Sequence, residues 1–571
     1  MRLIGDKLRA LARLFTRAWR RVARVVPDMP GAPEGLADRA KYRVGFYRTL
    51  AAPRWRVAVR WSIVAFGFAF YFFLQLLLAF MIHRLDVDPD AWAFITAFYI
   101  AAICIIVAAA KPTFAFIAWL VISPLGFLFL RMDFGASLPA ITFDRVVLVA
   151  MAGLLLARAL VHRRRMRKPL AGESLILAFI GYTVLMVFIL HPGDLAATLQ
   201  IVSERFDHIA LAVFVYYIAK SVLVTRQHVK WAVIGLVLTG VYVAGFAFYE
   251  HYTGSMWFSS FLGREFRLRV EDVGMGRACG PLINPGVTGT FLGITAFLTL
   301  HLTASVRSRF GKVVCFALVW FQLVACYFTF TRSGFLAPIL LLLIMPFAAK
   351  RYRRQYAAFL VAAIVVVIVA LPIAFSSADV ARRFTQEKTI LTRAVVTAGT
   401  INIIKHHPLF GVGLGEINAA LDQYITNVGE LSGLYARGLY PGRTFAQRRL
   451  IPAGTSHNSI LTIFAEQGIV GGLLFSGALI ALLVHLIKVR ARMPSGGVIG
   501  KDLVSLIILA VIGHISSTLF YDIRFFKYPS YFLWLLLALG VRLGQIEAEQ
   551  QEAEEIEPAS SPESVGGLVH A

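Results

Sequence analysis

The chain has few charged residues and few cysteines. Only 16% of its 571 residues are charged, whereas 58% are apolar, and this balance excludes an ordinary soluble domain. Of the four cysteines, Cys104, Cys315 and Cys326 lie within apolar runs, and only Cys279 lies in a loop between two of them. The sequence offers no loop disulfide framework and no CxxC spacing. The cysteines therefore predict no structural disulfide and no CxxC metal site. We also expect no other metal and no cofactor.

Apolar runs near the roughly 20 residues that cross a bilayer recur along the chain. They predict an all-α polytopic membrane protein with about 12–14 transmembrane helices. The predicted spans are 61–83, 91–110, 113–130, 146–161, 173–190, 206–224, 231–249, 286–305, 313–330, 335–349, 356–375, 458–487, 502–521 and 529–545. The pair Lys111-Pro112 leaves an alternative, because the runs on its two sides could form one broken or re-entrant element.

Basic residues dominate the charge. A formal net charge of +25 could suggest nucleic acid, but the basic residues lie in short clusters between apolar runs, so we expect no nucleic-acid partner. With a cytoplasmic N-terminus, the predicted spans place five clusters on the cytoplasmic side, as the positive-inside rule requires. These clusters are 162–168, 225–230, 306–312, 350–354 and 488–492. Both termini are then cytoplasmic.

The two ends of the chain differ in composition from the transmembrane domain, 61–545. Residues 1–60 form a basic cytoplasmic extension without the apolar core of a signal peptide. Within it, residues 1–27 have the spacing of an amphipathic helix, which could bind an anionic leaflet or serve only as a topology anchor. Residues 546–571 are acidic, with seven glutamates and no lysine or arginine, and predict a disordered cytoplasmic tail.

Two long loops, 250–285 and 376–457, are predicted on the outer face. The second contains nine basic and five acidic residues. The topology rule loses force in long segments, so this basic excess favours an anionic ligand at the outer face.

Two arginines stand at the outer ends of predicted spans. Arg277 is the second residue of GRACGPLINPG, 276–286, whose Gly and Pro residues predict a tight turn ahead of a span. Arg332 precedes Ser333 in TFTRSG, 329–334. The planar guanidinium donates two parallel hydrogen bonds to phosphate and stays charged. Each arginine could instead be a snorkelling or ion-paired anchor.

A third motif, SHNSILTIFAEQGIVGG at 456–472, begins where a polar segment meets an apolar helix. His457 could exchange a proton near neutral pH, or it could only cap the helix together with Asn458. Glu466 falls about two turns further in, where we interpret it as a structural partner for a buried donor. Upstream, Gly413 and Gly415 in HHPLFGVGLGEIN, 406–418, could approach a ligand or simply reverse the chain.

Taken in order, these motifs resemble the O-antigen ligase and polymerase superfamily over roughly residues 230–490. The resemblance implies a GT-C-like glycosyltransferase bundle with a large helical periplasmic loop in the bacterial inner membrane. It implies that His457 lies beside the acceptor hydroxyl and that Arg277 and Arg332 bind the diphosphate of an undecaprenyl-diphosphate-linked glycan donor. Thr331 departs from the serine expected in many relatives, although it keeps the hydroxyl.

These features predict a metal-independent, inverting glycosyltransferase of O-antigen, lipopolysaccharide or exopolysaccharide biosynthesis. We favour a polymerase, with a ligase that attaches polymer to lipid A-core as the alternative. The acceptor is lipid- or glycan-linked, and other polysaccharide assembly proteins are possible partners. A transporter or lipid flippase is the alternative of another class, and its candidate ionisable groups are Asp207, His208, Glu466 and His514. A structural scaffold is a third interpretation.

Overall fold

The computed structural model describes residues 103, 106–128, 131–132, 141–161, 169–190, 198, 201, 207–256, 276–376, 387–426, 456–523 and 526–556. The predicted amphipathic helix at 1–27 and the span at 61–83 lie outside these residues, as does most of the span at 91–110. The contacts up to Glu547 belong to one unit, Val87–Glu547, and 548–556 are the described part of a second unit.

The described chain is built almost entirely of helices. They are α1 Pro112–Ile122, α2 Phe143–Val161, α3 Ala171–Leu190, α4 Asp207–Val222, α5 Arg226–Thr253, α6 Pro285–Thr303, α7 Arg309–Phe328, α8 Leu336–Ala348, α9 Arg353–Ser376, α10 Glu387–His406, α11 Ile417–Thr426, α12 Ser459–Arg492, α13 Lys501–Thr518 and α14 Lys527–Ile556. A two-residue antiparallel ladder joins β1 Arg131–Met132 to β2 Ile141–Thr142. A 3₁₀ turn, Ser123–Leu128, follows α1.

Seven described helices are long and apolar enough to cross a membrane: α3, α5, α6, α7, α12, α13 and α14 up to Glu552. Large apolar side chains also face outward, as on α9, where Val361 is 61% exposed and Ile368 65%. Lipid accommodates such surfaces, which would be costly in water. The predicted class, an all-α multi-pass membrane protein, is confirmed. The number of spans and the GT-C architecture stay predictions.

Helix α6 lies at the centre of the bundle, and every one of its residues is buried. Asn284 caps it by accepting hydrogen bonds from the backbone N–H groups of Gly286 and Val287, and Pro285 occupies the first turn, where no N–H is needed. Gly293 lets Pro338 of α8 approach, since a Cβ there would lie 2.6 Å from the Pro338 Cδ. Nearer its start, α6 lies beside the segment that connects α7 to α8, since a Cβ on Gly289 would lie 3.0 Å from the Gly334 Cα.

Basic clusters gather at one end of this bundle, called the basic end below. Near the end of α6, His301 Nε2 lies 2.8 Å from the carbonyl oxygen of Val498, just before α13. Arg490 of α12 donates from Nε to Ser505 Oγ of α13 at 2.6 Å. Arg226 pairs with Glu547 of α14, close to Gly544, which lies against Val489 of α12. The described basic clusters at this end are therefore 225–230, 306–312, 350–354 and 488–492. Their common position agrees with the sidedness predicted for them.

One boundary differs clearly from the prediction. Helix α14 continues to Ile556, eleven residues beyond the predicted span end at 545. Glutamate, alanine and glutamine favour helix, so the acidic segment extends α14 instead of starting a disordered tail at 546. The predicted loop 376–457 contains α10 and α11, as expected for a helical loop, while 377–386 and 427–455 lie outside the described residues.

Candidate functional site

The turn that carries Arg277 is held by the last part of α5. Glu250 is 1% exposed, and its Oε2 accepts hydrogen bonds from the backbone N–H groups of Cys279, at 2.8 Å, and Gly280, at 2.7 Å. The ring Nδ1 of His251 lies 3.1 Å from the carbonyl oxygen of Gly276. Two adjacent α5 residues therefore fix the backbone on both sides of Arg277.

Removing the Glu250 carboxylate is expected to loosen this turn. Glu250→Ala leaves the buried N–H groups of Cys279 and Gly280 without an acceptor, at a cost of about 1–3 kcal/mol each. Glu250→Gln keeps one acceptor oxygen and should cost much less. Hydrogen exchange of the 278–283 backbone, followed by mass spectrometry in detergent, checks this order. Wild-type exchange in Glu250→Ala would show that the carboxylate does not hold the turn.

The two predicted arginine motifs meet. Arg277 donates from Nη2 to Thr331 Oγ1 at 3.1 Å, and the backbone N–H of Ala278 donates to the carbonyl oxygen of Phe328 at 2.9 Å. Arg332 follows Thr331 directly and begins a 3₁₀ turn, Arg332–Phe335. Its side chain is exposed, whereas Arg277 is half-buried. The neighbouring motifs thus bring both guanidinium groups to the same end of the bundle.

A third arginine joins them from α10. Burial lowers the pKa of the Arg393 guanidinium below its ordinary value, and the charges of Arg277 and Arg332 lower it further. Arg393 therefore lies within Coulombic range of both. We call the end of the bundle that carries these three residues the arginine end. Three cations that repel one another in this way form a site that an anion would stabilise.

His457 occupies a strained turn at the start of α12. Its φ is 52°, in the left-handed region that non-glycine residues seldom adopt, and its side chain is exposed. Ser456 Oγ accepts a hydrogen bond from the backbone N–H of Asn458 at 3.0 Å and lies 2.6 Å from Thr462 Oγ1. Asn458 caps α12 by accepting from the N–H groups of Ile460 and Leu461. These contacts fix the backbone beside the imidazole.

The His457 turn lies at the arginine end. Ser517 Oγ, near the end of α13, donates to the carbonyl oxygen of buried Ser333 at 3.0 Å. Six residues later, the N–H of Ile523 donates to Ser459 Oγ at 2.9 Å. Six residues span at most about 22 Å even when fully extended. One short segment, 517–523, therefore contacts both the turn that contains Arg332 and the start of α12.

Helix α12 is broken at Gly468, where φ is 64° and ψ is −169°. The segment 408–413 lies against the break and pairs with its main-chain groups. The hydrogen bonds run from Val412 N to Ala465 O at 3.0 Å, from Gly413 N to Glu466 O at 2.9 Å and from Ile469 N to Pro408 O at 2.8 Å. Tyr182 Oη donates to the Gln467 carbonyl at 2.9 Å. The break is thereby satisfied inside the protein, as a membrane environment demands.

The glycine-rich segment approaches α12 most closely at Gly411, whereas the sequence singles out Gly413 and Gly415. A Cβ on Gly411 would lie 2.3 Å from the Glu466 carbonyl carbon, so Gly411 permits the close backbone approach. Gly413 and Gly415 have φ of 107° and 88° and shape the turn that follows. The Glu466 side chain is 1% exposed beside the break. The segment therefore packs against α12 and also reverses the chain.

Helices α10 and α11 pack on α12 through a small apolar cluster. Val395 and Val396 of α10 contact Ile417 and Leu421 of α11 and Ala465 of α12. This cluster orients α10, and with it Arg393, over the start of α12. The arrangement brings a cationic site and a titratable ring to one end of a membrane bundle, which suits the binding and cleavage of an anionic phosphate ester.

The fold defines a multi-pass membrane protein with a polar site at one end. Residues 317–476 match the family model described as O-Antigen ligase. Over these residues the match confirms the predicted resemblance to the O-antigen ligase and polymerase superfamily, and it supports a membrane glycosyltransferase of that type. It includes Arg332, Arg393 and His457, whereas Arg277 and Glu250 precede it. Comparison with curated proteins finds no match.

Proposed function

We propose that this protein transfers a glycan from undecaprenyl diphosphate to an acceptor hydroxyl in surface polysaccharide synthesis. The observation that carries the proposal is the contact between Arg277 and Thr331, within Coulombic range of Arg393, at the end of the bundle where His457 precedes α12. A diphosphate provides the negative charge that this cationic site favours. Its polyprenyl chain can remain in the lipid beside the apolar helices.

In the proposed reaction the acceptor oxygen attacks the anomeric carbon of the donor from the face opposite the leaving group, which inverts the configuration. The bond between that carbon and the diphosphate oxygen breaks, and its electron pair leaves with the diphosphate. His457 takes the proton of the acceptor hydroxyl. Arg277, Arg332 and Arg393 stabilise the negative charge that develops on the leaving group. The arginines supply charge stabilisation that needs no metal.

We assign the basic end to the cytoplasmic side of the membrane, because positively charged loops favour the cytoplasm. The arginine end is then periplasmic in a bacterial inner membrane. There a lipid-linked donor and a lipid- or glycan-linked acceptor can meet. We favour a polymerase, since the loop that carries α10 and α11 is large and basic enough to hold a second glycan-lipid, although a ligase also needs two lipids.

The assay for this proposal uses the purified full chain in detergent with an undecaprenyl-diphosphate glycan and EDTA. A polymerase should release undecaprenyl diphosphate from the donor alone, because a second donor molecule is its acceptor. A ligase should release it only after lipid A-core is added. Turnover with lipid A-core alone would replace the polymerase by the ligase, and no release with either acceptor would overturn the proposed transfer.

Arg393→Ala is expected to lower kcat/KM about 10- to 100-fold, because one charge-assisted hydrogen bond to phosphate contributes about 1.5–3 kcal/mol. The variant removes repulsion between cations, so its thermal unfolding midpoint should not fall. Lys405→Ala is the matched control, since Lys405 is an exposed cation at the other end of the same helix. Equal activity of the two variants would exclude Arg393 from the anion site.

A further inference from the structure

A cavity of about 360 Å³ lies near the basic end, between α6, α7 and α9. Its apolar walls include Trp320 of α7 and Phe359 of α9, whose ring centroids are 5.3 Å apart. Its polar part contains Lys312 of α7 and Gln355 of α9. Because the lining residue Ala362 is exposed, the cavity is accessible from the flank of the bundle. It thus joins a cationic part to an apolar part on a surface that faces lipid.

The cationic part of the cavity lies beside the first turns of α7 and α9, where further positive charge is unfavourable. Lys312 lies in the first part of α7, which begins at Arg309, and α9 begins at Arg353. Neither helix has an acidic residue in its first turn. The start of a helix carries a partial positive charge, so cations there are unfavourable until an anion approaches. The described charges around this part of the cavity therefore favour an anionic occupant.

The apolar part of the cavity favours an anion that carries a hydrocarbon chain over a free inorganic anion. A free inorganic anion would contact Lys312 but leave the surface of Phe316, Trp320 and Phe359 uncovered. An acyl chain covers that surface and gains hydrophobic stabilisation in proportion to the area it covers. Nearby Val313 and Val361, which are 66% and 61% exposed, extend the same apolar flank. A molecule with one anionic head and a hydrocarbon chain matches both parts.

We propose that this cavity is a binding site for an anionic phospholipid, with the headgroup phosphate at Lys312 and an acyl chain along Trp320 and Phe359. The site lies at the opposite end of the bundle from Arg277 and is independent of the glycosyl transfer proposed above. Basic pockets between transmembrane helices are suited to anionic headgroups, and each nearby cation strengthens such binding several-fold.

Native mass spectrometry of the detergent-solubilised full chain tests this site with phosphatidylglycerol, with phosphatidylcholine of the same chains and with inorganic phosphate. The wild type should retain one phosphatidylglycerol more tightly than phosphatidylcholine. Lys312→Glu should weaken that binding about tenfold, because it replaces attraction to the headgroup with repulsion. Lys488→Glu is the matched control, since Lys488 is exposed at the same end but does not line the cavity.

A second pair of variants tests the acyl-chain position without changing charge. Ala362→Trp fills the cavity from its exposed edge and should also weaken retention, whereas Val361→Trp on the neighbouring lipid-facing surface should not. Three results would each overturn the proposal: equal retention of both lipids, displacement of phosphatidylglycerol by inorganic phosphate, or the same affinity in Lys312→Glu and Lys488→Glu.

Discussion

We expect His457→Asn to lower the rate of glycan transfer about 10²- to 10⁴-fold, the range that a positioned general base contributes. Asparagine cannot accept the proton of the acceptor hydroxyl at neutral pH. It does tolerate the left-handed backbone that His457 adopts at φ 52°. The substitution therefore separates the chemistry of the ring from the geometry of the turn. Release of undecaprenyl diphosphate in the presence of acceptor measures the rate.

His457→Gly is the companion variant, because glycine also adopts a positive φ without strain. Both variants should bind the donor and unfold at nearly the wild-type temperature, since the hydrogen bonds of Ser456 and Asn458 remain. A purely capping histidine would give a different pattern, in which His457→Asn retains transfer. That result would remove His457 from the proposed reaction.

The sequence predicted the helices well because apolar length carries their signal. The predicted spans 146–161, 356–375 and 458–487 correspond to α2, α9 and α12, each within a few residues. Pro112 begins α1, as a proline at a helix boundary should. Helix α14 extends beyond its predicted end, because hydropathy shows only where the apolar residues stop. The helix itself continues through the polar residues that follow.

The arginine site could be predicted only in part. Arg277 and Arg332 stand in Gly- and Pro-containing turns at the ends of apolar runs, so local sequence singles them out. Arg393 and Lys405 both lie on α10, and nothing in the local pattern shows which of them approaches the other arginines. That depends on how α10 packs on Ala465 through Val395 and Val396, which is a long-range contact.

Two further residues have roles that depend on contacts with distant parts of the chain. By sequence, Glu250 looks like a polar residue at the end of an apolar helix. In the structure its carboxylate holds the Cys279–Gly280 turn, some thirty residues later. An acidic residue at the end of an apolar run, followed by a loop rich in Gly and Pro, was the available signal. By sequence, Gly468 would be interpreted as a small residue that lets helices approach one another. In the structure it breaks α12 and leaves room for the backbone of Leu409. Composition alone does not separate these two uses of glycine.

Gly468→Ala should release the segment 408–413 from α12. A Cβ at this position would lie 2.1 Å from the carbonyl oxygen of Leu409 and 2.5 Å from the backbone nitrogen of Phe410, and its φ and ψ belong to a region used almost only by glycine. The segment must move, which breaks the hydrogen bonds from Val412 and Gly413. Strain and lost bonds together exceed about 3 kcal/mol, so exchange protection of these amides should fall at least about 100-fold.

Gly477→Ala provides the matched control on the same helix. Its new Cβ would meet only Leu175 Cδ1, at 3.5 Å, which is ordinary contact. Alanine favours a helix interior over glycine by roughly 0.5–1 kcal/mol, so this variant should be at least as stable as the wild type. The released segment leads into α11, which packs with α10, so Gly468→Ala should lose glycan transfer as well. Equal protection of the 408–413 amides in the two variants would mean that α12 does not need its break at Gly468 to hold this segment.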